Sequence, residues 1–332
     1  MTTTPLRIGI LGAARITPMA LVRPARQVPS VTLAAVAARD STRAGAFAAK
    51  HGIRRVHDSY ATLVDDPEID AIYNPLPNNL HAEWSMRALR AGKHVLCEKP
   101  IAANTEEAER MRDVARDSGR VLMEAFHWRY HPLAARMKEI LASGVLGTVR
   151  HIEAYFHIPI LFPGDIRYRL DLAGGAMMDT GCYTISILRH LADAEPEVVA
   201  AHARLSSPGV DRQMVADFRF ADGRTGHISC ALFSAALVRV RARVRGDRGE
   251  LSVFNPIVPQ FWHRLTLRTE TGTQRERLRT DPTYAHQLRA FVAAVRDGTP
   301  VPTNPDDAVA NMRVIDAVYR AAGLSPRRGT VA

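Results

Sequence analysis

Leu6-Arg7-Ile8-Gly9-Ile10-Leu11-Gly12-Ala13-Ala14-Arg15-Ile16-Thr17 is the stretch on which the fold turns. An apolar run ends at a glycine, and residues 16–27 behind it can form a helix. A strand entering a helix through a glycine turn opens a dinucleotide-binding βαβ unit, whose ideal loop reads G-x-G-x-x-G. Only the first glycine is kept; Ala14 stands at the second position and Thr17 at the third. Alanine still lets a pyrophosphate approach the backbone, less closely than glycine does. The helix N-terminus adds free amides and partial positive charge. Gly12, Ala13, Ala14, Arg15 and Ile16 are therefore candidate phosphate contacts, with an ordinary strand-to-helix turn as the competing reading.

Outward from this loop, strands and helices alternate up to residue 128. Strands are expected at 31–38, 54–57, 70–74, 94–97 and 121–125, with helices at 41–50, 60–65, 79–90 and 105–117. Helices between short apolar strands predict a doubly wound parallel sheet, with every strand's C-terminal end on one edge where ligands bind. Beyond residue 130 the pattern changes. Helices are expected at 133–142 and 174–192, and strands at 148–157, 198–205, 214–220, 226–233, 238–245, 251–254 and 264–269. Two helices, 283–296 and 305–321, close the chain. The fold class is α/β: a Rossmann domain over 1–126 and an α+β domain with a mostly antiparallel sheet over 127–332.

The end of the second strand bears on the cofactor. Enzymes that prefer NAD usually end it with Asp or Glu for the ribose 2′-hydroxyl. Here Val36-Ala37-Ala38 runs into Arg39, with Arg43 close behind. A guanidinium suits the 2′-phosphate of NADP, so NADP is expected in preference to NAD, with Asp40 capping the next helix.

Two further segments carry chemistry. Cys97-Glu98-Lys99-Pro100 puts two opposite charges and a proline where an apolar strand ends. Lys99 is one of only four lysines against an excess of arginine, and lysine, unlike arginine, can have its pKa moved. In Gly174-Gly175-Ala176-Met177-Met178-Asp179-Thr180-Gly181-Cys182-Tyr183, paired glycines open a helix on which Asp179 and Tyr183 share one face. An acid and a phenol so placed can form an acid/base pair; a capping Asp and a core Tyr would look the same.

Other features limit the function classes. The 332 residues are 46% hydrophobic and 23% charged, with no run of about 18 apolar residues to span a membrane. The N-terminus does not read as a secretory signal, and three widely spaced cysteines suggest a reducing cytoplasm. The net charge of +10 raises nucleic acid as a partner. The alternating Val238–Arg245 stripe, however, lacks aromatics for base stacking and reads better as a solvated or subunit-facing sheet surface; no nucleic acid is expected. Glu124, His127 and His131 could hint at a metal, but Pro132 follows at once and no metal site is expected.

These stretches together resemble the glucose–fructose oxidoreductase/inositol dehydrogenase (Gfo/Idh/MocA) family. The likeness lies in I-G-I-L-G-A-A-R-I, N-P-L-P-N-N-L-H (74–81), C-E-K-P (97–100), E-A-F-H-W-R-Y-H-P (124–132) and G-G-A-M-M-D-T-G-C-Y (174–183). It implies a second domain with a large open sheet that packs as a homodimer or homotetramer. Many members have histidine where Tyr183 stands. Tyrosine there is similar to the branch with glucose–fructose oxidoreductase, dimeric dihydrodiol dehydrogenase and NADP-dependent xylose dehydrogenase. The implied activity is NADP-dependent hydride transfer at a secondary alcohol or hemiacetal carbon of a small carbohydrate or cyclic trans-diol. A non-catalytic NADP-binding sensor on the same fold is the alternative. The implied catalytic residues are Lys99, Tyr183 and Asp179. A phenol titrates near ~10, and a neighbouring ammonium stabilises the phenolate. Lys99, Arg167, Asp179 and Tyr183 are the implied substrate contacts, and Tyr168 lies in the same loop as Arg167. Pro77, Asn79, His81, Glu98, Lys99, Trp128 and Arg129 join the phosphate loop, Arg39 and Arg43 as cofactor contacts, though His81 could simply cap its helix.

Overall fold

The computed structural model describes residues 4–162 and 164–330, and the chain divides into two compact units. The first holds the chain up to His127 together with Tyr284–Val309 and the residues from Gly329 on; the second holds Trp128–Thr283 and Ala310–Arg328. A single cut after residue 126 is therefore not how the chain is partitioned. The segment Tyr284–Val309 returns to the first unit, where the Glu124 amide donates to the Thr303 carbonyl and the Thr303 hydroxyl donates to the Glu124 carbonyl.

The first unit is built on β1 (Leu6–Leu11), β2 (Val31–Ala37), β3 (Arg55–His57), β4 (Ala71–Asn74), β5 (His94–Cys97) and β6 (Leu122–Glu124). They form one sheet in the order β3-β2-β1-β4-β5-β6, every pair parallel. Ile8, Ile10 and Leu11 of β1 and Ala71, Ile72 and Tyr73 of β4 are buried on both faces, as expected when helices cover both sides of a parallel sheet. The strand order reverses between β1 and β4, so the loops leaving these two strands flank the switch point where such folds bind ligands.

The helix expected over 16–27 is shorter. It begins with a π turn at Pro18–Val22 and continues only through Arg23–Ala25. Local signals elsewhere hold well. Asp40 caps Ser41–His51, accepting from the Arg43 amide at 3.2 Å. Asn104 caps Thr105–Ser118 and Gly119 ends it in the left-handed conformation.

The second unit carries β7 (Val149–His157), β8 (Glu197–Ser207), β9 (Val210–Arg219), β10 (Thr225–Ala231), β11 (Arg239–Gly246), β12 (Gly249–Phe254), β13 (Arg264–Thr269) and β14 (Gly272–Glu276). The order is β14-β13-β12-β11-β7-β10-β9-β8. All pairs are antiparallel except β7 with β10. β14 was not among the strands the residue pattern indicates; its stretch Gly-Thr-Gln-Arg-Glu has no apolar alternation. The alternation in β11 is as expected: Val240, Ala242 and Val244 are buried, and Arg239, Arg241, Arg243 and Arg245 lie on the opposite face. On that face Arg245 pairs with Glu153 at 3.1 Å, Arg243 with Glu250 at 3.3 Å, and Arg239 lies 3.5 Å over the Tyr155 ring.

Candidate active site

In the first unit, Gly12 leaves β1 with φ +86°, and a Cβ there would lie 3.1 Å from Leu76 on the loop after β4. Both reasons favour glycine: the left-handed backbone and the close approach. Ala13, Ala14, Arg15 and Ile16 follow at least partly accessible. Thr17, at the third fingerprint position, is fully buried, and its hydroxyl has no hydrogen-bond partner among the described residues. An unpartnered buried hydroxyl is costly; beside a loop of this shape it is a ready donor for an anionic oxygen, so these residues fit a bound dinucleotide.

The end of β2 lies at the same edge. Arg39 and Arg43 are exposed, and Arg43 reaches back to the Ala13 carbonyl at 3.4 Å. Tyr60, which carries no sequence signal, joins them: its phenol is near enough to feel the charges of Arg39 and Arg43, and its ring meets Trp84 edge-on at 5.1 Å. Burial pushes its phenol up.

Loop 74–81 is held from within. Asn74 donates to the His81 carbonyl and the Ser85 hydroxyl and accepts from the Leu76 amide. The buried His81 ring lies between two carbonyls, Leu76 O and Pro100 O, each at 2.8 Å. Burial, helped by the charge of Lys99, pushes its pKa down to about 4 against the pull of those carbonyls. The ring is thus neutral near pH 7 and donates to only one of the two carbonyls at a time, while it sits between the loop after β4 and the turn after Lys99. His81 thus has two backbone partners of its own at this edge of the sheet. The carbonyl of buried Asn79 accepts from Thr330, and half-buried Pro77 precedes the turn Asn78–Leu80.

Lys99 is half-buried just past the end of β5, ahead of a cis peptide to Pro100. Glu98 is buried and accepts from the Tyr73 hydroxyl at 2.7 Å, which anchors the turn to β4. Glu124 accepts from the Ile101 amide at 2.8 Å, so this carboxylate also holds the turn. His127 stacks on Tyr284 at 4.0 Å.

In the second unit, Met177–Gly181 is a π turn that runs into the helix Cys182–Ala192. Asp179 lies in the π turn and Tyr183 in the helix. Tyr183 is 5% exposed, its ring edge-on to Phe156 at 5.5 Å. Arg167 is spanned between two carboxylates: its Nε donates to Asp179 at 2.8 Å and its Nη1 to Asp165 at 3.0 Å. Asp179, with Asp165, holds this guanidinium even above its ordinary high range. Tyr168 donates to the Ile160 carbonyl at 2.8 Å. Trp128 is fully buried, edge-on to His190 at 5.2 Å, with Arg129 over its ring at 5.8 Å. His131 accepts from the Leu133 amide and so caps its helix.

A doubly wound nucleotide-binding unit, followed by a unit with an acid and a phenol on one buried helix start, defines the class of two-part, nicotinamide-linked oxidoreductases. Comparison with known proteins gives the family. Residues 6–126 match the oxidoreductase family with NAD-binding Rossmann fold, and residues 134–252 match the GFO/IDH/MocA C-terminal domain. The chain belongs to the GFO/IDH/MocA oxidoreductase family. It is 35% identical to a D-xylose 1-dehydrogenase (NADP(+)) of Haloferax volcanii over 318 residues, covering 96% of this chain and 97% of that protein. It is 33% identical to a dTDP-3,4-didehydro-2,6-dideoxy-alpha-D-glucose 3-reductase of Actinomadura kijaniata over 324 residues, 96% of each chain. Among solved structures, KijD10, a 3-ketoreductase from Actinomadura kijaniata in complex with NADP and TDP-benzene, superposes with a TM-score of 0.90 at 31% identity, covering 96% of this chain and 98% of that one.

Proposed function

We propose that this chain is an NADP-dependent oxidoreductase that moves hydride between the nicotinamide and a CH–OH carbon of a sugar or cyclic trans-diol. The observation that carries the reading is the end of β2. Where an NAD enzyme presents a carboxylate to the ribose, Arg39 stands exposed, Arg43 reaches the phosphate loop, and the Asp40 carboxylate is engaged as a helix cap. The similarity to NADP-linked enzymes over nearly the whole chain supports the same cofactor.

When bound, the nicotinamide supplies the hydride acceptor or donor. Lys99 and Tyr183 serve the same substrate carbon. Tyr183 takes the hydroxyl proton as the carbon is oxidised and returns it in reduction; Lys99 binds the substrate oxygen and favours the phenolate. Asp179 orients the substrate hydroxyl, and Arg167 holds the Asp179 carboxylate in place through its Nε–H. Gly12, Ala13, Ala14, Arg15 and Ile16 hold the pyrophosphate, with Pro77, Asn79, Glu98, Trp128 and Arg129 in the remainder of the cofactor's surroundings.

The three buried cysteines suit a reducing cytoplasm. The sheet face carrying Arg239 to Arg245 suits assembly into a homodimer or homotetramer, checked by light scattering. Among the described residues no helix is long and apolar enough to cross a membrane.

The test is titration with NADPH and with NADH, followed by assay of aldoses, D-xylose first, and trans-diols with NADP⁺. NADPH is expected to bind at least tenfold tighter, and Arg39→Ala to erase most of the difference. Equal affinity for NADH would overturn the cofactor assignment. Turnover of no sugar or diol, with NADPH still bound, would favour the sensor reading.

A further inference from the structure

Three residues far from Asp179 in sequence, Asp211, Tyr319 and Arg327, explain why the helix that carries it begins where it does. Asp211 of β9 is fully buried, and so is Tyr319; Arg327 is 3% exposed. Arg327 Nη2 donates to Asp211 Oδ1 at 2.5 Å, and Tyr319 donates to the same oxygen at 3.0 Å. The other oxygen, Oδ2, accepts the Met177 amide at 2.7 Å, and Arg327 Nε donates to the Gly174 carbonyl at 2.6 Å. The guanidinium also lies 4.1 Å over the Tyr319 ring. Both charges thus grip the backbone immediately before Asp179.

The paired glycines fit around this grip. Gly175 has φ +133°, and a Cβ there would lie 2.7 Å from Arg327 Nη2 and 2.9 Å from the Tyr319 hydroxyl. A Cβ on Gly174 would lie 2.6 Å from the Arg167 carbonyl. The same two residues donate their amides to the Arg169 and Arg167 carbonyls at 2.9 and 2.8 Å. The Asp179 amide in turn donates to the Gly175 carbonyl at 3.1 Å. One face of the glycine pair therefore holds the loop that delivers Arg167 to Asp179, and the other is held by Asp211 and Arg327.

We propose that Asp211, Arg327 and Tyr319 form a latch, closed by the C-terminal segment, that positions Asp179 and Tyr183 for reaction without touching substrate. A buried ion pair adds little stability over an apolar filling of the same volume; its directional bonds instead set where the turn begins. Displacing reacting groups by about 1 Å can cost ~10²-fold in rate. The proposal rests on the reading that Asp179 and Tyr183 meet the substrate.

The experiment compares full-length Arg327→Lys and Tyr319→Phe with the parent chain. Lysine keeps the charge but cannot reach both Asp211 and the Gly174 carbonyl as the guanidinium fork does. Arg327→Lys is expected to lower kcat for D-xylose, or for whichever sugar or diol the parent oxidises, at least tenfold. NADPH affinity should stay within twofold, and hydrogen exchange over Met177–Tyr183 should quicken. Tyr319→Phe, which drops one bond to Asp211, should lose two- to threefold in kcat and exchange at least threefold faster over the same segment. Parental kcat and parental exchange in Arg327→Lys would overturn the latch. If Arg327→Lys does not fold, unchanged exchange in Tyr319→Phe overturns it equally. If the parent oxidises none of the compounds, the functional reading falls while exchange still decides the latch.

Discussion

Two helices, one in each unit, begin with a π turn: Pro18–Val22 behind the glycine loop and Met177–Gly181 at Asp179. Such turns often mark functional positions, yet these two are finished in opposite ways. The first has no side-chain cap, and the buried Thr17 hydroxyl beside it has no partner among the described residues. The second is closed by a carboxylate of the protein itself, Asp211 on the Met177 amide, with Arg327 on the Gly174 carbonyl. The positive end of a helix attracts negative charge whatever its source. Left to a ligand it is a binding device; filled from within it becomes a rigid mount for side chains.

The sharpest way to break this contrast is to separate binding from turnover. Tyr183→Phe should cut kcat by about 10²–10⁴-fold, the range for loss of a general acid/base, with NADPH affinity unchanged in a fluorescence titration. A parallel loss of NADPH affinity would show that the mount also serves the cofactor.

Acid should loosen both units. Burial pushes His81 in the first and His190 in the second down to about 4. From an unfolded value near ~6.5, the unfolded chain takes up these protons first as pH falls. Stability is therefore full above about pH 6.5 and is lost progressively toward pH 4, by up to about 3 kcal/mol for each ring at ~1.36 kcal/mol per unit. Urea unfolding at pH 7 and pH 5 checks this. His81→Asn should flatten the dependence in the first unit more than in the second.

Gly12→Ala should cost about 1–2 kcal/mol, because the backbone is left-handed there, and should weaken NADPH binding as well. Equal NADPH binding would mean that the loop does not need its close approach to Leu76.

The smallest effect sharpens the comparison most. Thr17→Val keeps the shape and removes an unpartnered hydroxyl, so thermal stability should hold or rise. NADPH affinity should fall about five- to tenfold, the worth of a hydrogen bond of about 1 kcal/mol. A drop in melting temperature with unchanged affinity would show that this helix start, too, is closed from within.

Much of this was legible in the residues. Apolar runs of four to seven residues broken by Gly, Asn and Asp placed the strands of the first sheet, because side-chain periodicity and capping act over a few positions. Asp40 caps as its position indicates. Gly174-Gly175 was visible as a helix opening but not as a close fit, because the atoms it accommodates arrive from Asp211 and Arg327. Asp211, two residues past Pro208-Gly209, has the look of a turn acid, and Arg327-Arg328 that of a solvated tail. Nothing local distinguishes a buried arginine from an exposed one. Tyr60 was silent for the same reason.

By itself the sequence determined the βα alternation, the glycine loop, the arginines after β2, and the family to which 97–100 and 174–183 point; each depends on neighbours within a turn or two. Only the tertiary structure decided the order of the eight-stranded sheet, the return of Tyr284–Val309 to the first unit, the engagement of His81 by two carbonyls, and the closure of the Asp179 turn by residues 34 and 153 positions away along the chain. These depend on which buried polar groups meet, and a buried donor or acceptor must find its partner wherever folding brings one.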